Sequence, residues 1–355
     1  KKPLILGIES SCDETAASII TENEQGIPVI LSNIVSSQND VHKKFGGVVP
    51  ELAARSHIEK IDWVVQKAIN DSGIKLEQID AVASTTGPGL IVCLSVGLSF
   101  GKAFSASLNK PFIAVNHLEG HALSPKINSN INYPYLLLLI SGGHSQFLNV
   151  KDLGNYKRLG TTIDDALGEA FDKTAKLLGI EFPGGPQIEI MAKKGDPNKY
   201  DLPKPIFHKG GCNLSFAGLK TAILKITKDI KTEQEKFDLA ASFQKTINEI
   251  LYKKTKIAFS EFEKQSRPKE KIFVVAGGVA ANKKIRSMLT DLCSEKNYQS
   301  IFPPIELCGD NAAMIAMVGL EKLKLKKFSK LDHPAKPRWP LDEDAAFLKG
   351  AGIQL

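Results

Sequence analysis

Short apolar runs separated by small and acidic residues recur along this chain. Leu4–Ile8 leads into the polar turn Glu9-Ser10-Ser11-Cys12-Asp13-Glu14-Thr15 and then into a second apolar run, Ala16–Ile20. Two β-forming segments joined in this way predict a hairpin. The pattern returns in Tyr135–Ile140, Ser141-Gly142-Gly143-His144-Ser145 and Gln146–Val150, about 130 residues later, which predicts a duplicated domain. Turns of Gly and Ser expose backbone N–H groups, and an opposed pair of such turns can clamp phosphates between two lobes.

Between the two hairpins the periodicity alternates. Residues 51–68 carry apolar positions at near-helical spacing, 79–85 read as a buried strand, and Gly87-Pro88-Gly89 precedes a small-residue helix over 92–107. A further strand, 111–115, leads into a helix carrying His117 and His121. This order predicts an α/β fold with a mainly parallel sheet in each lobe. Beyond the second hairpin, 164–178 is helical. Residues 193–212, the centre of an insertion of about 191–215, are rich in Lys, Pro, Gly and Asp and suit a lid. Helical periodicity resumes over 233–262, and the strand 271–276 ends in Gly277-Gly278, where a ligand could approach the backbone or the chain could simply turn. The expected division is 1–133 as N-terminal lobe, 134–319 as C-terminal lobe, and 320–355 as a segment packing back on the first.

A chain of 355 residues with 43% apolar and 24% charged positions has the composition of a globular protein large enough for two domains. Apolar runs such as Leu136–Ile140 are far too short to span a bilayer, and the N-terminus shows no signal-peptide core. Five scattered cysteines without a CxxC pair fit a reducing compartment, so a cytoplasmic location is expected. The net charge of +7 permits a nucleic-acid partner without demanding one. Its densest part is Lys322–Lys330, either a solvated helix face or a contact for a nucleic-acid or protein partner.

Chemistry concentrates at His117-Leu118-Glu119-Gly120-His121. Imidazoles at i and i+4 share a helix face and can converge on one metal ion, although two unrelated histidines would show the same spacing. A distant carboxylate could complete a three-ligand set with open positions for a substrate oxygen. A zinc-protease helix reads HExxH. Here Leu118 stands where that glutamate would be, and Glu119 would point away from His117, so a metalloprotease is disfavoured.

Several segments together resemble one family, the TsaD/Gcp-type catalytic subunit of tRNA adenosine threonylcarbamoyltransferase, also labelled O-sialoglycoprotein endopeptidase. They include Gly7–Thr15, Gly46–Ala53, Gly87–Leu90, His117–His121, Ser141–His144, Ala170–Lys173, Pro183–Pro186, Ser215–Lys220, Ala276–Asn282 and Asp310–Ala316, spread over nearly the whole chain in the family's order. The resemblance implies an actin/Hsp70-like (ASKHA) α/β fold of two duplicated lobes, with ligand and metal in the cleft between them. It implies transfer of threonylcarbamoyl from threonylcarbamoyl-AMP to the exocyclic amine of the adenosine 3′ of the anticodon, in tRNAs reading codons that begin with A. Expected partners are tRNA, a TsaB-like paralogous subunit and a TsaE-like small ATPase, with no membrane.

Carried over position by position, His117, His121 and Asp310 resemble ligands of one divalent transition metal, iron or zinc. Leu139, Ile140, Ser141, Gly142 and Gly143 resemble the loop that holds the substrate phosphate. Asp172, Gly185 and Glu189 resemble ribose and adenine contacts, with Asn282 beside them, and ATP or ADP could occupy the same place. Asp13 and Glu14 are candidates to orient the incoming amine or take its proton, or else to cap their turn. Two other functions suit the same fold: a small-molecule kinase or ATPase using Mg²⁺ and acidic residues, and a non-catalytic scaffold of a tRNA-modifying complex.

Overall fold

The computed structural model describes residues 2–346. The chain divides into two units, one formed up to Asn132 together with Gly309–Glu343, the other from Tyr133–Cys308 with the described residues from Asp344 on. In the first unit, β1 (Ile5–Glu9), β2 (Glu14–Glu22), β3 (Pro28–Ser37), β4 (Ala81–Gly87) and β5 (Phe112–Asn116) form one sheet in the order β3-β2-β1-β4-β5. Strands β1, β2 and β3 are an antiparallel meander, while β4 lies parallel to β1 and β5 parallel to β4.

The second unit repeats the plan. Its strands are β6 (Tyr135–Ile140), β7 (Ser145–Asp152), β8 (Asn155–Thr161), β9 (Ile272–Ala276) and β10 (Gln299–Ile301), in the order β10-β9-β6-β7-β8. Again three strands are antiparallel and two further strands are parallel to the first. Both sheets are therefore mixed rather than mainly parallel, because each predicted hairpin acquires a third antiparallel strand, β3 or β8.

Apolar residues place the helices. In the helix Pro50–Ser72, Ala53, Ile61, Val64, Val65, Ala68 and Ile69 recur at three- and four-residue intervals and are buried, packing with Leu6, Ile8 and Ile19 of the sheet. Pro50 opens that helix and Gly73, in the left-handed region, closes it. The second core joins Leu138 and Phe147 to Phe243, Ile247 and Phe273. Its long helix, Glu233–Ser266, begins with a reciprocal cap: Thr232 Oγ1 accepts from Glu235 N at 3.2 Å and Glu235 Oε2 accepts from Thr232 N at 2.9 Å.

The insertion is irregular up to Ala217, as its composition predicts, yet it is tied down. The buried Lys254 donates to the Lys209 and Gly211 carbonyls at 2.9 and 3.3 Å. The helix expected over 164–178 starts later, at Leu167. Asp164 instead accepts from Phe216 N and Ala217 N at 2.7 and 3.2 Å, at the start of the helix Ala217–Thr227.

The expected boundary at 319/320 is displaced. The chain re-enters the first unit at Gly309, and the whole helix Ala312–Lys324 belongs there. Its residues 312–320 are buried, and a Cβ on Gly7 would lie 2.4 Å from the Ala312 carbonyl oxygen and 2.6 Å from Ala316 N. Strand β1 and this helix thus touch through backbone, and a cut at 319 would bisect the helix. Of the expected C-terminal segment, 347–355 lie outside the described residues. Gly7→Ala is expected to force β1 and the helix apart and cost about 1–3 kcal/mol. An unchanged urea midpoint and slope would contradict the close approach.

Candidate functional site

The parallel strands β1, β4 and β5 end together, and polar groups gather at their carboxyl ends, where open α/β sheets place ligands. Glu9 is the last residue of β1, Thr85 is near the end of β4, and His117 follows directly on β5. The helix His117–Leu123 is capped by Asn116, whose Oδ1 accepts from Leu118 N at 2.9 Å and whose Nδ2 donates to the Trp339 carbonyl at 2.9 Å. Gly120 lets this helix lie against Met314 and Ile315, to whose side chains a Cβ would come within 3.1 and 3.0 Å. Asn311 caps the helix Ala312–Lys324, accepting from Met314 N at 3.1 Å, which leaves Asp310 just ahead of that cap.

These anchors bring the three expected metal-site residues together. His121 Nε2 lies 3.0 Å and His117 Nε2 3.4 Å from Asp310 Oδ1. One ligand atom from each residue falls within 4.8 Å of the others, a group that could hold a metal ion. The rings stand edge to face with centroids 4.8 Å apart, as i,i+4 spacing on a helix requires. Glu119 is buried and pairs with Lys322 at 2.8 Å, so it faces away from this group and serves the helix packing.

Sequence reasoning placed Glu9 in a polar turn and gave it no role. It is instead a strand residue with 1% of its surface exposed, and it organises the cluster. Its Oε2 lies 3.0 Å from His117 Nδ1 and accepts from Thr85 Oγ1 at 2.5 Å, while Oε1 accepts from Ser11 N at 2.5 Å. A proton on His117 Nδ1 donated to Glu9 leaves Nε2 with a lone pair turned toward Asp310 and His121. Carboxylate–imidazole pairs of this kind fix tautomer and orientation in metal sites. A charged residue closing a buried apolar strand was the available signal.

The electrostatics agree. Burial alone would lower the His117 pKa, but Asp310 and Glu9 raise it well above the ordinary imidazole range. Burial would raise Asp310, yet His117 and His121 hold it well below the usual carboxylate range. Glu9 likewise is lowered by His117 against its own burial. The carboxylates that favour a proton on His117 would also favour a metal cation. Burial and then Asp13 and Asp310 push the Cys12 thiol well up. Buried His121 Nδ1 has no hydrogen-bond partner among the described residues, which leaves Nε2 as the nitrogen engaged in the cluster.

Asp13 and Glu14 are both half-buried, on the turn between β1 and β2 and at the start of β2. Burial, Asp310, Asp13 and Glu9 raise the Glu14 carboxyl well above its usual range. The turn is braced from behind. Val49 N donates to His42 Nδ1 at 3.2 Å, and His42 Nε2 lies 3.1 Å from Gln38 Oε1. The Gln38 amide faces His57 Nδ1, which also takes Thr15 Oγ1 at 2.7 Å, so His57 Nε2 donates to the Cys12 carbonyl at 3.0 Å. Burial lowers the His57 pKa, as a neutral relay requires.

The other expected residues lie in the second unit, linked by short contacts. The β6 end, with Leu139 and Ile140, runs into Ser141, whose carbonyl accepts from Gly168 N at 3.1 Å. Gly277, at φ +95°, would put a Cβ 2.4 Å from the Ile140 oxygen. Asp172 shares the helix Leu167–Leu177 with Gly168, and its Oδ1 accepts from Gly184 N at 2.9 Å, beside Gly185. Glu189 Oε1 accepts from Lys283 N at 3.2 Å. Asn282 is a helix cap: its Oδ1 accepts from Lys284 N and Ile285 N at 3.1 and 3.0 Å, and its Nδ2 donates to Gln244 at 2.8 Å. Around Gly142, Gly143 and Gly278 a Cβ would meet nothing within 4 Å, so their backbones border open space.

The family model described as TsaD, tRNA N6-adenosine threonylcarbamoyltransferase, matches residues 29–317. The chain belongs to this family. It is 80% identical over all its 355 residues, and 99% of the relative, to the tRNA N6-adenosine threonylcarbamoyltransferase of Pelagibacter ubique (strain HTCC1062). It is 53% identical over 342 residues, 96% of this chain and 98% of the relative, to that of Rickettsia rickettsii (strain Sheila Smith). It is accordingly a transferase of tRNA modification.

Among solved structures, component A of the (R)-2-hydroxyglutaryl-CoA dehydratase of Acidaminococcus fermentans matches with TM-score 0.51 at 13% identity, over 91% of this chain and 99% of that one. Full-length HypF matches with TM-score 0.57 at 14% identity, over 92% of this chain and 47% of that one. These likenesses show the fold, the duplicated α/β architecture expected from the sequence. Among the described residues no helix is long and apolar enough to cross a membrane.

Glu9→Gln keeps the side chain's length but removes its charge. It is expected to weaken Zn²⁺ or Fe²⁺ binding about 10–100-fold, measured by chelator competition on folded protein. Affinity equal to wild type would show that Glu9 does not orient His117 as a ligand.

Proposed function

We propose that this chain transfers the threonylcarbamoyl group from threonylcarbamoyl-AMP to N6 of the adenosine 3′-adjacent to the anticodon in tRNAs reading codons that begin with A. The observation that carries the proposal is the full-length match to relatives of that name, together with the His117–His121–Asp310 group held in ligand-like geometry. The metal is iron or zinc, since two imidazoles and one carboxylate with open positions suit either. When bound, it supplies positive charge that neutralises phosphate oxygens on the leaving group.

In the reaction the N6 nitrogen bonds to the carbamoyl carbon, the carbon–oxygen bond to phosphate breaks, AMP leaves, and the amine gives up a proton. Glu14, with a carboxyl raised by burial and by Asp310, is suited to take that proton, with Asp13 orienting the amine. Positioning supplies much of the remaining rate. The loop Leu139–Gly143, open at Gly142 and Gly143, receives the phosphate, and Asp172, Gly185 and Glu189 receive the nucleoside, with ATP or ADP able to take the same place. Asn282 acts through its backbone position, because its side chain caps a helix. A TsaB-like paralogous subunit and a TsaE-like ATPase complete the working complex in the cytoplasm.

The test combines purified protein, unmodified tRNA, threonylcarbamoyl-AMP and the two partner proteins, followed by nucleoside mass analysis. Threonylcarbamoyladenosine at the position after the anticodon is expected, and it should be lost with His117→Ala/His121→Ala. Its absence from the wild-type reaction would overturn the assignment. Asp172→Asn is expected to weaken adenylate binding about tenfold or more, read by calorimetry. Unchanged affinity would contradict the assigned role of Asp172 in holding the nucleoside.

A further inference from the structure

We propose that residues 326–339 form a preorganised RNA-backbone track that leads tRNA to the metal cluster. This rests on the tRNA-modifying reading above and names the surface of the first unit that holds the nucleic acid. Lys322–Lys330 stood out in the sequence as a basic segment, but its early members are occupied. Lys322 pairs with Glu119 and donates to the Ala114 carbonyl, and Lys324 pairs with Glu22 and Glu321. The available cations lie further on. Lys326, Lys327, Lys330 and Arg338 are exposed, and none forms an ion pair among the described residues. Across 326–339 stand five Lys and Arg residues against one acid, Asp332, a dense excess for a chain whose whole net charge is +7.

The segment has almost no regular secondary structure, yet it is pinned along its length. Ser329 N donates to the Phe112 carbonyl at 2.8 Å, and Ala114 N donates to Ser329 Oγ at 2.9 Å. Lys102 Nζ donates to the His333 carbonyl at 2.7 Å. Lys336 N donates to the Thr86 carbonyl at 2.7 Å, and Gly89 N donates to the Pro337 carbonyl at 3.2 Å. The Trp339 carbonyl takes Asn116 Nδ2, at the residue preceding His117. The strap therefore meets β5, an edge of the sheet, through Ser329 at its start and Trp339 at its last residue, crosses the helix Ile91–Ser107 and the end of β4 in between, and ends beside the cluster.

Five strand residues cover about 13 Å, a length over which successive phosphates of one nucleic-acid strand can lie. Fixing cations on an anchored strap removes much of the ordering cost that a flexible basic tail would incur on binding. Phe328, half exposed, sits between Lys327 and Lys330, and Lys336 lies over the Trp339 ring at 4.6 Å. An exposed aromatic among cations suits unpaired nucleotides, whose bases stack while their phosphates pair. An acidic protein partner would use the charges but gain less from that arrangement.

The test compares Lys327→Gln/Lys330→Gln/Arg338→Gln with a control that loses the same charge elsewhere, Lys228→Gln/Lys269→Gln/Lys296→Gln. Fluorescent unmodified tRNA is titrated against each full-length chain, alone and with the partner subunits, across a salt series. The strap variant should bind at least tenfold more weakly than the control at low salt. The slope of log Kd against log salt should flatten by about two to three, one phosphate contact per lost cation. In turnover, KM for tRNA should rise with kcat held. Wild-type chain carrying photoactivatable tRNA should crosslink to peptides from 326–339. Affinity and slope matching the control, a loss confined to a protein partner, or crosslinks elsewhere would each overturn the track. Failure of the wild type to modify adenosine would instead sink the reaction assigned above, while the binding comparison would still decide the strap.

Discussion

A carboxylate buried at the end of a strand is costly unless it is paired, and the first unit is organised around one. Glu9 is compensated by the Ser11 backbone two residues on and by His117 and Thr85, which reach it only in the folded sheet. Because the pair is enclosed, His117 has one orientation and presents Nε2 to Asp310 and His121. The surrounding packing enforces that choice. Gly7 admits the helix that carries Asp310's anchor, Gly120 admits the helix that carries both histidines, and Asn116 and Asn311 cap the two helices at the cluster.

The same sheet plan appears twice, and the two copies have diverged in chemistry. In the first, the strand ends carry acids and imidazoles fit for a cation. In the second, the corresponding ends of β6 and β9 run into glycine-rich turns with open space beside the backbone. Acids and imidazoles suit a cation, and exposed amide groups suit an anion.

What could be read from the sequence was mostly local. The His117–His121 pair follows from helical spacing within five residues, and the hairpins follow from alternation broken by small residues. Asp310 was reachable only through resemblance, since nothing in its neighbourhood points to a site nearly two hundred residues away. Glu9 was missed for the same reason: its partners are Thr85 and His117. Strands β3 and β8 carry many polar and exposed residues, as edge strands do, so their period-two signal is weak. The helix Ala312–Lys324 was cut because its packing on β1 depends on Gly7, whose importance is visible only when the two backbones are seen in contact. Asn282, expected beside a ligand, caps a helix with its side chain, a use common for an Asn just before a helix.

Anomalous diffraction from crystals of the metal-loaded chain, collected at the absorption edges of iron and zinc, tests the central account most directly. The account predicts one strong peak per chain bonded by His117 Nε2, His121 Nε2 and the Asp310 carboxylate, with His117 Nδ1 still on Glu9. A peak held by other residues, or His117 turned to bind through Nδ1 with Glu9 released, would contradict it.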